Sequence, residues 1–346
     1  MKENAMKGLI VDEEGKLFIA EDVPMPEIGE YDCLVKTIAC GICAGTDSKI
    51  IQKHFKGYDG YPCVLGHEAC GEVVEVGGKV RNYKVGDHVL RSMLNDSEKY
   101  FSGWGAFSDY GFVSDYWAMD ADGMKDIFTG HMAQQVVPED IDPVKAVMLI
   151  TFKEVFSALK RFGITSGMEI MINGCGPVGL TMVNLAKAMG VGRIVASDIN
   201  EKRLGIAKEM GADDLINAAE GNVEEQVKKI VPNGLDVFVD AVGRNELMNL
   251  GLNLIKFNGK VAVYGISPKC NAEIDWEKAP YNWDIHFVQW PTFEEEAATH
   301  DEVVKFVREG RLNLDRFVSD VYGIDEFEKG FEAIKSGDCL KVALKF

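Results

Sequence analysis

The stretch from Met168 to Asp198 most constrains what this chain can fold into. It reads Met168-Glu-Ile-Met-Ile-Asn173, then Gly174-Cys-Gly176-Pro177-Val178-Gly179. Apolar residues follow at helical spacing through Leu180, Val183, Leu185, Ala186 and Met189, and Arg193-Ile-Val-Ala-Ser-Asp198 closes the stretch. Strand, glycine turn, helix and a second strand ending in an acid form the opening unit of a doubly wound α/β sheet that holds a dinucleotide. Gly174 permits the tight turn, Gly176 lets backbone approach a pyrophosphate, and Gly179 lets helix and strand pack closely. The helix N-terminus offers unpaired N–H groups to the phosphates. Glycine turns also arise from packing alone, but here the flanking strand, helix and terminal acid agree on a cofactor site.

Asp198 stands where a carboxylate takes both hydroxyls of the adenosine ribose. A 2′-phosphate would meet a like charge there, with no basic residue before Lys202 and Arg203, so NAD is expected rather than NADP. Pro177 and Val178 in the turn, and Ile199 and Arg203 after the acid, complete the expected site. Gly234 to Gly243 and Gly259 to Ile266 read as further buried strands with turns at their carboxyl ends. Ligands bind outside those ends, so Val242, Gly265 and Ile266 are expected to flank the cofactor.

A chain of 346 residues is long enough for two domains with separate cores. Its net charge of −18 repels nucleic acid and anionic membranes. Met1 to Met6 lacks an apolar signal core, and no apolar run is long enough to span a bilayer. Eight scattered cysteines are too few for a disulfide scaffold of this size, and reduced thiols in the cytoplasm are expected.

Residues Lys7 to Val113 are β-rich, with short runs such as Leu9 to Val11, Leu17 to Ala20, Cys33 to Ile38, Gly71 to Val76 and His88 to Leu90 between Gly, Pro and Asp turns. A compact barrel or sandwich is predicted. Within it lie Cys40-Gly-Ile-Cys43-Ala-Gly-Thr46-Asp47 and Gly66-His67-Glu68-Ala-Cys70-Gly. Cys43, His67 and Glu68 offer thiolate, imidazole and carboxylate, the three ligand types zinc accepts. The Cys40-x-x-Cys43 pair could instead be a redox pair or half a zinc ribbon, but there is no second such pair and no thioredoxin-like context. A lone histidine is more often a hydrogen-bonded core residue; the neighbouring Gly66, Glu68 and cysteine loop favour a ligand here.

Gly66 to Gly77 (GHEACGEVVEVG), Val85-Gly-Asp-His-Val89, the CGIC loop and the GCGPVGL turn together resemble the zinc-containing medium-chain alcohol and polyol dehydrogenases, nearest to the sorbitol and threonine dehydrogenase branch. The likeness covers nearly the whole chain. It implies a GroES-like catalytic domain over residues 1–150, a Rossmann NAD-binding domain over 151–287, a return to the catalytic domain over 288–346, and an active-site cleft between the domains. It further implies one catalytic zinc, a homodimer or homotetramer, and a small alcohol or ketone as substrate. Thr46 resembles the hydroxyl that relays the substrate proton, with Asp47 or His54 as later members, and Lys341 stands where relatives place a basic residue near the pyrophosphate. A solvated lysine and a solvated loop histidine are the other readings of Lys341 and His54.

Several departures from that family bear on the chemistry. Arg91 to Gly111 lacks the four cysteines of a structural zinc site, so none is expected. Two residues separate Cys43 from Thr46 where the family has one, and Lys49 stands where many relatives carry histidine. The aromatic-rich run Tyr100, Phe101, Trp104, Phe107, Tyr110, Phe112, Tyr116 and Trp117 introduces a segment, Ser114 to Gln135, without a counterpart of similar length; a pocket wall, a subunit contact and an enlarged core are all open. Asp142-Pro143 is expected to start a helix, with the acid as cap. The position of the family's third zinc ligand is Ile150, which cannot bind metal.

Glu154 lies one helical turn beyond Ile150 on the same face. Two readings stand: Glu154 completes a set with Cys43 and His67, Glu68 being an exchangeable fourth ligand or a group that supports the ligands from behind, or Glu154 is an exposed helical acid. The implied activity is interconversion of a secondary alcohol, a polyol or sugar alcohol, with its ketone. A zinc-independent reductase on the same fold, favoured by Ile150, and a non-catalytic dinucleotide-binding protein are the rival readings.

Overall fold

The computed structural model describes residues 4–267, 269, 271–337 and 339–346. The chain forms two compact units: one runs to Ile150 and resumes from Asn313 to Phe346, the other is Thr151–Leu312.

In the first unit the alternating runs pair mostly as antiparallel strands; Cys63–Val64 with Phe101–Ser102 and Val318–Gly323 with Lys341–Lys345 are parallel. Leu17–Pro24, Ala5–Val11, Cys63–Val64 and Phe101–Ser102 form a four-stranded sheet. A seven-stranded sheet is ordered Val318–Gly323, Lys341–Lys345, Asp32–Gly41, Glu68–Val76, His88–Leu90, Val136–Val137, with Tyr110–Ser114 also on Asp32–Gly41. The strand Asp32–Gly41 is central because three partners use it. Glu68–Val76 lines one side, while Tyr110–Ser114 takes its first half and Lys341–Lys345 its last three residues. The final strand of the chain is thereby brought to the loop that carries Cys43. Leu9, Val11, Cys40, Ile42, Leu65, Phe107, Val342 and Leu344 form the core beneath it.

The segment 114–135 is held by its own polar groups. Asp115 caps the helix Tyr116–Ala121 by accepting from Ala118 N–H, and also accepts from the backbone N–H groups of Arg81 and Asn82. The aromatic run before it divides: Tyr100, Phe107 and Phe112 are core, whereas Phe101 and Trp117 are exposed. In the region where relatives carry structural-zinc cysteines, Asp96 accepts from Ser102 N–H and Ser97 exchanges hydrogen bonds with Tyr100.

The second unit holds an all-parallel six-stranded sheet in the order Asp214–Asn217, Arg193–Asp198, Glu169–Asn173, Leu235–Asp240, Ile255–Val263, Trp283–Phe287. This is the doubly wound order, with its switch point between the strands that end at Asn173 and Asp240. Parallel strands buried on both faces read as continuous apolar runs, which is why Ile170–Ile172 and Val237–Val239 are buried throughout.

Two boundaries differ from expectation. Asp142-Pro143 opens a turn, in which Asp142 accepts from Val144 N–H, and the helix itself is Val147–Arg161. Residues 288–312, expected with the catalytic domain, belong to the second unit, and the return falls at Asn313. The helix His300–Arg308 stays because its apolar face packs on Val147–Arg161, with Phe306 and Phe156 rings 5.6 Å apart and Lys160 paired with Glu302.

The same helix buries a charge. Lys153 is fully buried and its ammonium lies 3.3 Å from the buried Glu296 carboxylate. Removing one member of a buried pair strands the other charge at a cost of about 3–5 kcal/mol, whereas replacing both with apolar groups is near neutral. Glu296→Ala is therefore expected to lower unfolding free energy by about that amount, and Lys153→Met with Glu296→Leu to recover most of it, measured by denaturant unfolding.

Candidate functional site

Cys43, His67 and Glu68 each offer a ligand atom, and these atoms lie within 4.8 Å of one another. Among the described residues this is the one such gathering of His, Cys, Asp and Glu. Sheet register brings it about. Gly41 pairs with Glu68 across one edge of its strand and with Ala343 across the other. Cys43 follows two residues beyond that strand, and His67 immediately precedes Glu68. Gly66 before them has φ +95°, and a Cβ there would come within 2.6 Å of Phe107 N, so only glycine turns the chain this way.

Each ligand is held by neighbours. Asp47 accepts from Cys43 N–H at 2.8 Å and its other oxygen lies 3.6 Å from His67 Nδ1. At that distance the carboxylate is a charged neighbour of the imidazole rather than its hydrogen-bond acceptor. Thr46 N–H points to Cys43 Sγ at 3.5 Å, so the extra residue after Cys43 keeps Thr46 beside the thiol, at the head of the helix Thr46–Ile51. Lys341 Nζ donates to Glu68 Oε2, and both side chains are almost fully buried. This contact crosses Gly41, where a Cβ would come 2.6 Å from Glu68 Oε2 and 3.3 Å from Lys341 Cδ. The Trp104 ring lies 5.2 Å from that of His67 and 6.1 Å from that of Phe55, and Trp104 has φ +65°.

The electrostatics fit a cation. Burial alone would raise the Glu68 carboxyl, but Lys341, His67 and Arg91 outweigh it and hold it below the ordinary range. Burial alone would discharge His67, yet Asp47 and Cys43 raise its pKa well above the usual value. The same neighbours that favour positive charge on the imidazole would favour a cation among these three side chains. Cys40 is fully buried, and burial drives its pKa well up, so it stays a thiol outside the ligand group.

Other expected residues fall elsewhere. Ile150 is wholly buried. Glu154, expected as a ligand, is not a member of the gathered group; it is half-buried on the helix Val147–Arg161, in the second unit. Lys341 is engaged with Glu68, and His54 is exposed.

The glycine turn has the form expected. Gly174 has φ +100°, and a Cβ on Gly179 would come 1.8 Å from Gly174 O, so the close packing of helix on strand requires glycine there. No atom lies within 4 Å of where a Cβ on Gly176 would stand, which leaves the middle of the turn open. The helix Pro177–Ala188 has no side-chain cap, and its first N–H groups remain available to an anion. Asp198 accepts from Cys175 N–H at 2.7 Å and Asn200 N–H at 2.8 Å, which fixes the carboxylate beside the turn. Asn200 in turn caps the helix Glu201–Met210 through Lys202 and Arg203 N–H. Asp240 accepts from Val242 and Gly243 N–H, and Val242, Ile266 and Ile199 are exposed.

Sequence reasoning did not find the Glu68–Lys341 contact, which spans 273 residues, nor Trp104 on His67. The four-residue spacing of Cys43 and Asp47 was a usable signal for Asp47 as an acceptor. Gly41→Ala forces Glu68 and Lys341 apart and is expected to cost about 1–3 kcal/mol of stability and to leave the purified protein well short of one metal per chain. Thermal unfolding and metal analysis check both.

Residues 29–127 match the family model described as alcohol dehydrogenase GroES-like domain, and residues 177–288 that of zinc-binding dehydrogenase. L-threonine 3-dehydrogenase of Pseudoalteromonas translucida is 28% identical over 94% of this chain and 95% of its own, and that of Rhizobium rhizogenes 28% over 99% of both. The fold is that of benzyl alcohol dehydrogenase from Acinetobacter calcoaceticus, with TM-score 0.84, 21% identity and 99% of each chain covered. It is also that of 2R,3R-butanediol dehydrogenase from Bacillus subtilis, with TM-score 0.81, 22% identity and 99% of each chain covered. A GroES-like first unit, a Rossmann second unit and a gathered Cys-His-Glu ligand set together make this chain a member of the zinc-containing medium-chain dehydrogenase family.

Proposed function

We propose that the chain is an NAD-linked dehydrogenase that interconverts a secondary alcohol, of the polyol or sugar-alcohol type, with its ketone at a zinc held by Cys43, His67 and Glu68. The observation that carries this reading is the convergence of the three ligand atoms within 4.8 Å in a buried pocket. The substrates that two similar proteins are named for, L-threonine at carbon 3 and 2R,3R-butanediol, are secondary alcohols too.

Bound zinc supplies Lewis acidity, which lets a hydroxyl give up its proton near neutral pH. The chain's own residues do the rest. Asp47 is the charged neighbour of the His67 ring, and Lys341 neutralises Glu68 while anchoring it. Thr46, buried beside Cys43, is the group to receive the substrate proton and pass it outward. The open turn at Gly176 and the N-terminus at Pro177 hold the pyrophosphate, and Asp198 reads the adenosine ribose. NAD held by these residues would supply the hydride-accepting chemistry of the reaction. We further propose a cytoplasmic homo-oligomer; none of the seven described cysteines is in a disulfide, and no described helix is long and apolar enough to cross a membrane.

Ile150 favours a second reading, metal-independent reduction on the same fold. Chelator treatment separates the two. Loss of at least about 100-fold in NADH formation from secondary alcohols, restored by zinc, is expected; turnover that survives complete metal removal overturns the zinc reading. Asp198→Asn keeps an acceptor oxygen but removes the charge that opposes a 2′-phosphate. It is expected to reduce the preference for NAD over NADP in kcat/KM by about tenfold or more, measured with one alcohol and both cofactors.

A further inference from the structure

Lysines in this chain follow a rule with one exception. Among the described residues they are exposed, or else they have a partner: Lys7 with Asp325, Lys145 with Asp315, Lys153 with Glu296, Lys341 with Glu68, and Lys260 with the Phe162 carbonyl. Lys49 is half-buried, and its ammonium has neither an ion-pair nor a hydrogen-bond partner among the described residues. A cation that gives up part of its solvation without a partner destabilises the protein, so such a residue points to a ligand that restores the lost interactions.

Its position says where that ligand lies. Lys49 is on the helix Thr46–Ile51, three positions after Thr46, which places both on one helix face. Thr46 is the residue whose N–H points to Cys43 Sγ. The ammonium is within electrostatic reach of that sulfur: burial lowers the Lys49 pKa, and Cys43 partly opposes the shift. Phe55 and Trp104 stack edge to face, and the Trp104 ring lies 5.2 Å from that of His67, which gives the ligand group an apolar neighbour suited to a short carbon chain. At long range the chain's net charge of −18 repels anions, so selecting one requires a local cation.

We propose that Lys49 reads the substrate: its ammonium receives a carboxylate or phosphate on the alcohol whose hydroxyl is presented to Cys43, His67 and Glu68. The substrate class is then a hydroxy acid or an alcohol phosphate rather than a neutral polyol. This narrows the dehydrogenase reading and rests on it for the position of the reacting hydroxyl.

The test compares three matched probes, glucitol, gluconate and glucitol 6-phosphate, on the zinc-loaded protein, with binding followed by calorimetry and turnover by NADH formation. One charge-assisted contact predicts that at least one anion binds about tenfold or more tighter than glucitol, and the anion that gains more identifies carboxylate or phosphate. Lys49→Met is expected to bring all three within about threefold of one another with zinc content unchanged, and Lys49→Arg to keep the preference. The proposal is overturned if wild type binds glucitol as tightly as both anions, if neither anion binds, or if Lys49→Met preserves the preference. Binding through Lys49 without any NADH formation would retain this inference and overturn the dehydrogenase reading instead, so the two fail separately.

Discussion

A buried carboxylate needs either a ring of N–H donors or a positive partner, and Glu68, which takes the second course, shapes the first unit. Its partner is supplied by the last strand of the chain, which pairs with only the final residues of Asp32–Gly41 and so delivers Lys341 across Gly41. Remove the register, the glycine or the lysine and Glu68 would lose the ammonium that donates to its Oε2, the largest of the positive influences on it. The antiparallel pairing of Gly41 with Glu68 sets the height of His67 as well, so one backbone register fixes two of the three ligand atoms. Cys43 is placed separately, by a turn that Asp47 closes by accepting from its backbone N–H.

The second unit depends on a different economy of space. Gly179 touches Gly174 and Gly265 touches Gly243 more closely than any side chain would allow. These contacts draw the turns at the carboxyl ends of adjacent strands together and leave Gly176 uncovered. Asp198 serves the same turn from the next strand, because its two oxygens hold the Cys175 and Asn200 backbone N–H groups.

Much of this was legible in the sequence, and what was not has physical reasons. The glycine turn and its terminal acid are local, governed by contacts within one βαβ unit, and the turn came out in the conformation expected. Cys43, His67 and Glu68 could be read as neighbours because ligand chemistry limits which residue types can gather. Lys341 could not be read as the partner of Glu68, since resemblance placed it near a phosphate and no local signal encodes a contact 273 residues distant. The helix start at Asp142 was misplaced because an Asp-Pro pair is as good a turn as a cap. The boundary at residue 288 failed because Phe306 and Glu302 find their partners on Val147–Arg161, a tertiary preference that spacing within 300–308 does not contain.

The distribution of sulfur has a consequence for how this protein meets electrophiles. Cys33, Cys63 and Cys175 are buried, and burial pushes their thiols up to about 12, 11 and 12, while Cys40 and Cys70 are driven up in the same direction. Protonated and out of reach, they are poor nucleophiles toward peroxide or an alkylating reagent. Cys43 alone among the described cysteines is only partly buried. Covalent damage to sulfur would therefore be concentrated at the ligand, and a bound ion would act as its protecting group.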